Sequence, residues 1–323
     1  MTESHRFSIA PMMDCTDRHF RYLARLLSRH TLLYTEMVTT GALLHGDIAR
    51  HLAFDAAEHP LALQIGGSDP IELAQAARLA EEWGYDEINV NVGCPSDRVQ
   101  SGRFGACLMR EPQLVADGVA AMQAACRLPV TVKTRIGIDR DQDGERLFEF
   151  VDTVAAAGCD TFIVHARNAW LKGLSPKQNR EIPPLRYDVV YRLKQERPDL
   201  TIAINGGIKS LEAARTHLEQ VDGVMVGREA YSQPYFLAAV DGEIFGDRAA
   251  APDRDAVLEA YLPYVSRQRA DGVPFNRVVK PLFGLYQGCP GARRWRRHLS
   301  GHASKQNSDE RVIMAARETV AAA

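Results

Sequence analysis

A single cysteine follows an apolar strand pattern in a setting that a structural cysteine does not require. Residues 87–95 read EINVNVGCP, so Cys94 ends an alternating apolar run and lies between Gly93 and Pro95. A free thiol has a pKa near 8.5 and is mostly protonated at pH 7, so it can act as an acid. We therefore predict that Cys94 donates a proton in catalysis. We expect Gly93 and Pro95 to fix the turn that aims its thiol.

The other cysteines give no sign of a disulfide framework or a zinc cluster, because none of them shows CxxC spacing. Cys107, in a glycine-rich loop, is the alternative to Cys94 as the proton donor. Cys126 and Cys159 are expected to be buried apolar thiols. The histidines lack H-x₃-H and HExxH spacing, so no metal site is expected.

The elements that must position these groups are short β-branched runs, each followed by a helical pattern. The eight runs are FSIAPM (7–12), LLYTEMV (32–38), LALQIGG (61–67), EINVNVGCP (87–95), VTVKTRIG (130–137), TFIVHAR (161–167), TIAINGG (201–207) and GVMVGRE (223–229). Eight strand-helix units indicate a parallel sheet covered by helices. We predict an α/β fold, a TIM (β/α)8 barrel over residues 1–244; an open doubly wound sheet is the alternative.

After residue 244 the strand pattern stops. Residues 245–253 are predicted to be a linker, and residues 252–323 a small C-terminal all-helical domain. Residues 250–323 carry 12 Lys and Arg against 7 Asp and Glu, although the whole chain has a net charge of −2. The basic charge is therefore concentrated where a polyanion would bind. No apolar run suits a signal peptide or a membrane span, so we expect a cytoplasmic protein with no membrane partner.

Polar residues lie at the carboxyl ends of the predicted strands, where active sites of TIM barrels are found. Asn205-Gly206-Gly207 and Gly227-Arg228 follow the seventh and eighth strands. There the backbone N–H groups and an arginine can bind a phosphate. Each glycine pair is also consistent with an ordinary turn.

Three further strand ends suit a flavin. Gln64 can hydrogen-bond the edge of an isoalloxazine, and Lys133 can lie near the N1/C2 carbonyl and stabilise an anionic reduced ring. His165 can contact the same ligand. A salt bridge of Lys133 to Glu36 and a satisfied core histidine at 165 are the alternatives.

These segments resemble a known family, the flavin-dependent tRNA-dihydrouridine synthases, over essentially the whole chain. The motifs that carry the resemblance are APMMDCTDRHFR, YTEMVTTGALLHG, LQIGGSDP, NVNVGCPSDRVQSGRFGACLM, VTVKTRIGID, IVHARNAWLKGLSPKQNREIPPL, INGGIKS and GVMVGREAY. KGLSPKQNREIPPL and PGARRWRRHLS further resemble the bacterial A subfamily. The resemblance implies FMN as cofactor, NADPH as electron donor and uridines of the tRNA D-loop, at positions 20 and 20a, as substrate.

By the same resemblance, flavin N5 gives hydride to C6 of uracil and Cys94 protonates C5 from the opposite face. Asn91 would contact the substrate nucleotide, which must leave its stack to be reached. The implied FMN contacts are Pro11, Met12, Met13, Gln64, Lys133, His165, Asn205, Gly206, Gly207, Gly227 and Arg228.

Basic residues outside the barrel mouth are expected to contact tRNA phosphates. They are Lys177 and Arg180 in the loop after the sixth strand, and Arg293, Arg294, Arg296 and Arg297 on a tail helix. An ordinary solvated helix face is the alternative for the tail, where Trp295 is expected to be packed. Two other functions remain open: an FMN barrel enzyme acting on a small dihydropyrimidine, and a non-enzymatic tRNA-binding protein. No obligate protein partner is evident.

Overall fold

The computed structural model describes residues 3–139, 141, 144–305 and 308–321, apart from the side chains of residues 3, 4, 98 and 321. The chain forms two compact units. Unit 1 comprises Met1–Met13 and Leu32–Gly227, and unit 2 comprises Asp14–Thr31 and Arg228–Ala323.

Unit 1 contains a parallel sheet that closes on itself. Its strands are β1 (Phe7–Ile9), β2 (Leu33–Tyr34), β3 (Val38–Thr39), β4 (Leu61–Gly66), β5 (Glu87–Val92), β6 (Val130–Arg135), β7 (Thr161–His165), β8 (Thr201–Asn205) and β9 (Gly223–Val226). Neighbouring strands follow the order β1-β9-β8-β7-β6-β5-β4-β2, and β3 also pairs with β4. A parallel bridge between Ser8 and Leu32 joins the two edges.

The predicted TIM barrel is therefore confirmed, with its second strand in two pieces. Leu33 and Tyr34 pair with Leu61 and Ala62, but Val38 pairs with Ile65. Four steps along the second strand thus match three along β4, so one extra residue is accommodated between β2 and β3. Such a bulge re-aims side chains at the edge of a barrel.

Helices alternate with the strands. In chain order the α-helices are α1 (Arg18–Leu27), α2 (Thr40–His45), α3 (Ile48–Leu52), α4 (Pro70–Glu82), α5 (Asp97–Ser101), α6 (Pro112–Ala125), α7 (Glu145–Ala156), α8 (Tyr187–Glu196), α9 (Leu211–Leu218), α10 (Arg228–Ser232), α11 (Val240–Phe245), α12 (Arg254–Ala270), α13 (Phe275–Val279), α14 (Ala292–His302) and α15 (Glu310–Ala321). Asp69 caps α4 and Ser210 caps α9, because the side-chain oxygen of each accepts hydrogen bonds from backbone N–H groups of the first turn.

The barrel interior is closed by an apolar cluster from non-adjacent strands. Its buried members are Ala10, Leu32, Tyr34, Ala62, Ile163, Ala203 and Met225, and Met12 packs against them. Residues from β2 and β4 meet residues from β7 and β8 only through the barrel interior. A packed interior leaves the strand ends as the place for a ligand.

The division into units differs from the predicted boundary between residues 244 and 252, because the helix that follows β1 belongs with the last helices of the chain. Phe20 of α1 packs on Tyr231 at 5.4 Å between ring centroids, and Tyr22 stacks on Tyr264 at 4.0 Å. The hydroxyl of Ser28 donates to Asp241 at 2.5 Å. These contacts join residues more than two hundred positions apart, which a reading of local patterns does not reveal.

Unit 2 is helical in the tail, as predicted. Its helix α13 is short and is followed by a 3-10 helix over Lys280–Gly284, since Pro281 lacks the N–H that a continuing helix needs. Trp295 of α14 is fully buried and donates its indole N–H to Leu282 O at 2.9 Å. Its predicted packing role is thus observed.

Among the described residues, no helix has the length and apolarity needed to cross a membrane.

Candidate active site

The loop after β5 holds the backbone of Cys94 on both sides. The N–H groups of Gly93 and Cys94 donate to the Asn91 side-chain oxygen at 3.1 and 2.9 Å. On the other side, the Cys94 carbonyl accepts from the Ala106 N–H at 2.9 Å. Cys94 is half-buried, with Sγ 3.5 Å from Ser96 Oγ. The residue is thus partly exposed while its main chain is fixed.

The glycine that this arrangement requires is Gly105 rather than Gly93. Gly105 has a φ of +76°, and a Cβ there would lie 2.3 Å from Val99 Cγ1 and 2.6 Å from the Cys94 carbonyl oxygen. A Cβ at Gly93 would meet nothing nearer than 3.5 Å, and its φ is not positive. The expectation that Gly93 fixes the turn is wrong, because the close backbone contact is made at Gly105, where the chain returns to the Cys94 carbonyl.

Asn91 uses most of its carboxamide within the protein. Its oxygen accepts the two backbone bonds, and its nitrogen donates to Gln64 Oε1 at 2.9 Å. Gln64 in turn donates to Asn89 at 2.9 Å, and it is 1% exposed. Both predicted ligand residues thus lie side by side in the carboxyl-terminal halves of β4 and β5. Each has one amide hydrogen beyond these bonds.

Arg135, at the end of β6, received no role from the sequence. Its Nε donates to Gly93 O at 2.8 Å, and its Nη1 donates to Asn168 O at 3.2 Å and Asn179 O at 3.1 Å. Only 4% of it is exposed. Arg135 therefore ties the Cys94 loop to the loop after β7. Its spacing of two residues from Lys133, which places both side chains on one strand face, was the signal available in the sequence.

Lys133 reaches across the mouth of the barrel. Its Nζ donates to Asn205 Oδ1 at 3.1 Å, and Asn205 Nδ2 donates to Met225 O at 2.8 Å. Burial and then the charge of Arg135 lower the pKa of Lys133 from 10.5 to about 7, with the Cys94 sulfur acting in the opposite direction. The amine is thus partly protonated near pH 7, and a bound anion would favour its protonated form.

Cationic groups converge on His165. Burial, followed by the charges of Arg135 and Lys133, holds the pKa of His165 well below its usual value. Arg167 and Arg180 act in the same direction. His165 is therefore neutral at pH 7. The four cations give the mouth a positive potential that suits an anionic ligand.

The glycines after β8 leave room that any side chain would fill. Gly206 and Gly207 have φ values of +122° and +71°, and added Cβ atoms would lie 2.8 Å from the His165 ring and 2.6 Å from Leu185. The Tyr187 hydroxyl donates to Gly206 O at 2.7 Å and steadies this turn. At Gly227 a Cβ would approach Met12 Sδ to 3.4 Å. Backbone N–H groups at such turns can approach a phosphate closely.

The remaining predicted ligand residues are spread over both units. Pro11 and Met12 are half-buried and Met13 is 60% exposed. Arg228 is exposed and opens α10, the first helix of unit 2 after β9. In the loop after β7, Lys177 and Arg180 are exposed. The charge of Arg180 acts on Arg135 and His165, so this side chain belongs to the positive region near Cys94.

The four tail arginines, Arg293, Arg294, Arg296 and Arg297, are all exposed on α14. Arg294 also donates to Thr319 O at 3.0 Å, which ties it to α15. A basic helix surface is thus present in unit 2, as the sequence indicates.

The alternative cysteine is differently placed. Cys107 directs its thiol to Phe104 O at 3.1 Å, and burial raises its pKa. Cys126 and Cys159 are buried, as predicted. The Cys107 thiol therefore already donates its proton to a backbone carbonyl of its own loop.

In unit 2, His30, Asp241 and Asp247 bring possible metal-ligand atoms within 4.8 Å of one another. Their carboxylates already have partners. Asp247 pairs with Arg29 at 2.6 Å and with His30 at 3.0 Å. Asp241 accepts from Ser28 and from the backbone N–H of Arg29. The group is therefore best explained as a network of ion pairs.

The contrast between the two glycines gives a stability test. We expect Gly105→Ala to lower the free energy of unfolding by at least about 2 kcal/mol, because it adds a strained φ and a clash with a carbonyl. Gly93→Ala is the matched control and should be neutral or slightly stabilising, by less than about 1 kcal/mol. Urea unfolding of both variants measures this. Equal effects would contradict the assignment.

The lowered pKa of Lys133 predicts a pH dependence of stability. Between pH 7 and 10.5 the unfolded chain binds more protons than the folded one, so the free energy of unfolding of ligand-free protein should rise with pH there. Lys133→Met should remove this part of the rise. Urea unfolding at pH 7 and 9 tests it, with the exposed Lys209→Met as control. If the free energy of unfolding of Lys133→Met rises with pH as much as that of the unsubstituted protein, the lowered pKa of Lys133 is wrong.

Comparison with known proteins places this arrangement in a family. Residues 8–321 match the family model described as dihydrouridine synthase (Dus). A tRNA-dihydrouridine(20/20a) synthase of Shewanella oneidensis is 60% identical over 314 residues, which cover 97% of this chain and 93% of that protein. The proteins of the same name from Escherichia coli (strain K12) and Vibrio parahaemolyticus are 60% and 59% identical, covering 98% and 97% of this chain and 92% and 96% of theirs.

A solved structure of a complex of 2-naphthoyl-CoA reductase with 2-naphthoyl-CoA shares the fold. It matches with a TM-score of 0.56 and 12% identity, over 73% of this chain and 49% of that one. At this identity the match concerns the barrel architecture alone. The family match and the full-length relatives go further: this chain belongs to the dihydrouridine synthase family.

Proposed function

We propose that this enzyme reduces the C5=C6 bond of uridines in the tRNA D-loop, at positions 20 and 20a, with NADPH as electron donor and FMN as cofactor. The observation that carries the proposal is the clamped Cys94 at the mouth of the barrel, beside Lys133 and Arg135. The name shared by relatives about 60% identical over nearly the whole chain supports the substrate and its positions. The reaction would take place in the cytoplasm, where tRNA is found.

The residues at the strand ends fit FMN. Gly206 and Gly207 offer a turn that only glycine can occupy without a clash, as a phosphate requires. Gln64, Lys133 and His165 supply hydrogen-bonding groups that suit the polar edge of the ring. When bound, FMN supplies the hydride that is added to C6 of uracil. The other predicted FMN ligands, which would complete the site, are Pro11, Met12, Met13, Asn205, Gly227 and Arg228.

Cys94 supplies the proton. Its S–H bond breaks as the new C–H bond forms at C5, and the sulfur is left as a thiolate that regains a proton from solvent. General acid catalysis of this kind contributes about 10²–10⁴-fold to a rate. The clamped backbone holds the thiol in place before substrate arrives, which lowers the entropic cost of reaching the reactive geometry.

The charged groups near Cys94 have separate tasks. The ammonium of Lys133 would favour negative charge on a bound flavin ring. Neutral His165 can donate or accept a hydrogen bond without adding a further charge. Asn91, through its remaining amide hydrogen, would contact the extruded uracil while its oxygen keeps the Cys94 loop closed.

Recognition of tRNA would come from the basic residues away from the strand ends. Lys177 and Arg180 follow β7 in unit 1, and Arg293, Arg294, Arg296 and Arg297 lie on α14 in unit 2. Such contacts position a nucleic acid without reading its sequence. A small-molecule dihydropyrimidine reductase would have no use for the α14 arginines, so tRNA is the favoured substrate.

Replacing the proton donor tests the mechanism. We expect Cys94→Ala to lower turnover at least about 100-fold, while flavin content and tRNA affinity stay within about twofold, because the thiol is needed for protonation only. Mass spectrometry of dihydrouridine in treated tRNA measures the turnover. Cys107→Ala is the control and should retain most activity. A loss confined to Cys107→Ala would transfer the role to that residue.

Removing two arginines from α14 tests the tRNA surface. We expect the double variant Arg293→Ala/Arg297→Ala to raise KM for tRNA about tenfold and to flatten its salt dependence, because fewer phosphates are neutralised. Reduction of the protein-bound flavin by NADPH should keep its rate. The double variant Lys305→Ala/Arg311→Ala loses the same charge within unit 2 and is the control. Equal effects of the two pairs would argue against a specific surface.

A further inference from the structure

A continuous run of side-chain hydrogen bonds crosses the interior of the barrel and ends at the Cys94 loop. Thr131 Oγ1 donates to Glu87 Oε1 at 2.6 Å, and Asn89 Nδ2 donates to Thr131 Oγ1 at 2.8 Å. The next links join Gln64 to Asn89 and Asn91 to Gln64, each at 2.9 Å. We call these five residues, Glu87, Thr131, Asn89, Gln64 and Asn91, the interior relay.

The direction of every bond in the interior relay follows from its two ends. At one end, the backbone N–H groups of Gly93 and Cys94 can only donate, so the side-chain atom of Asn91 that faces them is its oxygen. The nitrogen of Asn91 must then point to the oxygen of Gln64, and the nitrogen of Gln64 to the oxygen of Asn89. At the other end, the Glu87 carboxylate accepts the Thr131 proton, so Thr131 is left to accept from Asn89.

Glu87 is held as an acceptor by its other partners. His5 Nε2 lies 2.9 Å from Glu87 Oε2, and both side chains are 5% exposed. Burial lowers the pKa of His5, but the nearby Glu87 carboxylate outweighs it, so the pKa is raised above its usual value. The Tyr34 hydroxyl donates to Glu87 Oε1 at 2.8 Å. A carboxylate with imidazole and hydroxyl donors around it keeps the polarity of the interior relay fixed.

Three members of the interior relay cannot touch a substrate. Thr131 and Asn89 are fully buried and Glu87 is 3% exposed. Elsewhere the barrel interior is filled by apolar side chains such as Ile163, Ala203 and Met225. Apolar filling would avoid the cost of burying polar groups, which is high whenever one bond is missing. The buried amides therefore need a reason beyond packing.

We propose that Glu87, Thr131 and Asn89 are positioning residues of the reaction, which orient the carboxamides of Gln64 and Asn91 and thereby hold the Cys94 backbone. The inference rests on the proposed role of Cys94 and extends it to groups that line no ligand site. If the interior relay is broken, Asn91 is free to turn. The N–H of Cys94 then loses its acceptor.

A matched pair of substitutions at Thr131 tests the inference on the full-length, flavin-loaded protein. Thr131→Val keeps the shape and removes the hydroxyl, while Thr131→Ser keeps the hydroxyl. We expect Thr131→Val to lower kcat about tenfold with KM for tRNA unchanged, since the bond to Glu87 and the bond from Asn89 are both lost. Thr131→Ser should stay within about twofold.

A second measurement does not depend on turnover. The rate at which iodoacetamide alkylates Cys94, followed by mass spectrometry of its peptide, should change at least about threefold in Thr131→Val and stay unchanged in Thr131→Ser. If Cys94→Ala proved fully active, the proposed chemistry would fail, yet this rate would still report the position of the loop.

The outcomes separate positioning from simple stability. Unchanged kcat and unchanged Cys94 alkylation in Thr131→Val, with only a lower melting temperature, would overturn the inference. If Thr131→Val does not fold, Asn89→Ala breaks the next link with a smaller side chain and is read in the same way. Equal losses in Thr131→Val and Thr131→Ser would also overturn it.

Discussion

The hydrogen bonds from the Gly93 and Cys94 backbone to Asn91 are the interaction on which the rest of the site depends. A parallel strand that ends at a barrel mouth must release its chain into a loop, and loops are usually the mobile part of a fold. Here the side chain of Asn91, three residues before Cys94, accepts the backbone hydrogen bonds that a neighbouring strand would otherwise accept. The returning chain at Gly105 and Ala106 closes the loop from the other side. The thiol is thereby carried by backbone that is as well bonded as the strand itself.

The concentration of positive charge at the barrel mouth opposes folding stability and favours the binding of an anion. Arg135 lowers the tendency of the buried Lys133 to carry charge, and Arg167 and Arg180 act on Arg135 in the same way. Such crowding is tolerated where an anion is to be bound. Arg135 also illustrates how one residue combines two tasks, because its three bonds to backbone carbonyls hold together loops from different strands.

The sequence predicts most of the fold, because the strands are buried on both faces and the helices carry clear caps at Asp69 and Ser210. The polar residues at the strand ends also follow from the barrel, since strand ends of one direction meet at one edge. Features that depend on tertiary contacts were not predictable. The pairing of α1 with helices of the tail arises from Phe20 and Tyr22 meeting aromatic rings more than two hundred residues away.

The same limit applies within the site. Local pattern pointed to Gly93, but the backbone constraint lies at Gly105, because only the folded loop brings its Cα against the Cys94 carbonyl. Asn91 was expected to contact the substrate, and its oxygen in addition holds the backbone of Gly93 and Cys94. The spacing of residues in the sequence predicts neither fact. Both depend on how the loop after β5 folds back on Cys94.

The closure of the sheet between its first and last strands has a consequence for the newly made chain. Phe7 of β1 pairs with Val224 of β9, so the amino-terminal strand gains this neighbour only after nearly all of the barrel has been synthesised. Pairings that span such a separation form slowly, because a long loop must be closed before any contact compensates for it. Until then β1 emerges from the ribosome with an unpaired edge, which can associate with other chains. Its brevity, three residues from Phe7 to Ile9, limits how much of that edge the nascent protein exposes.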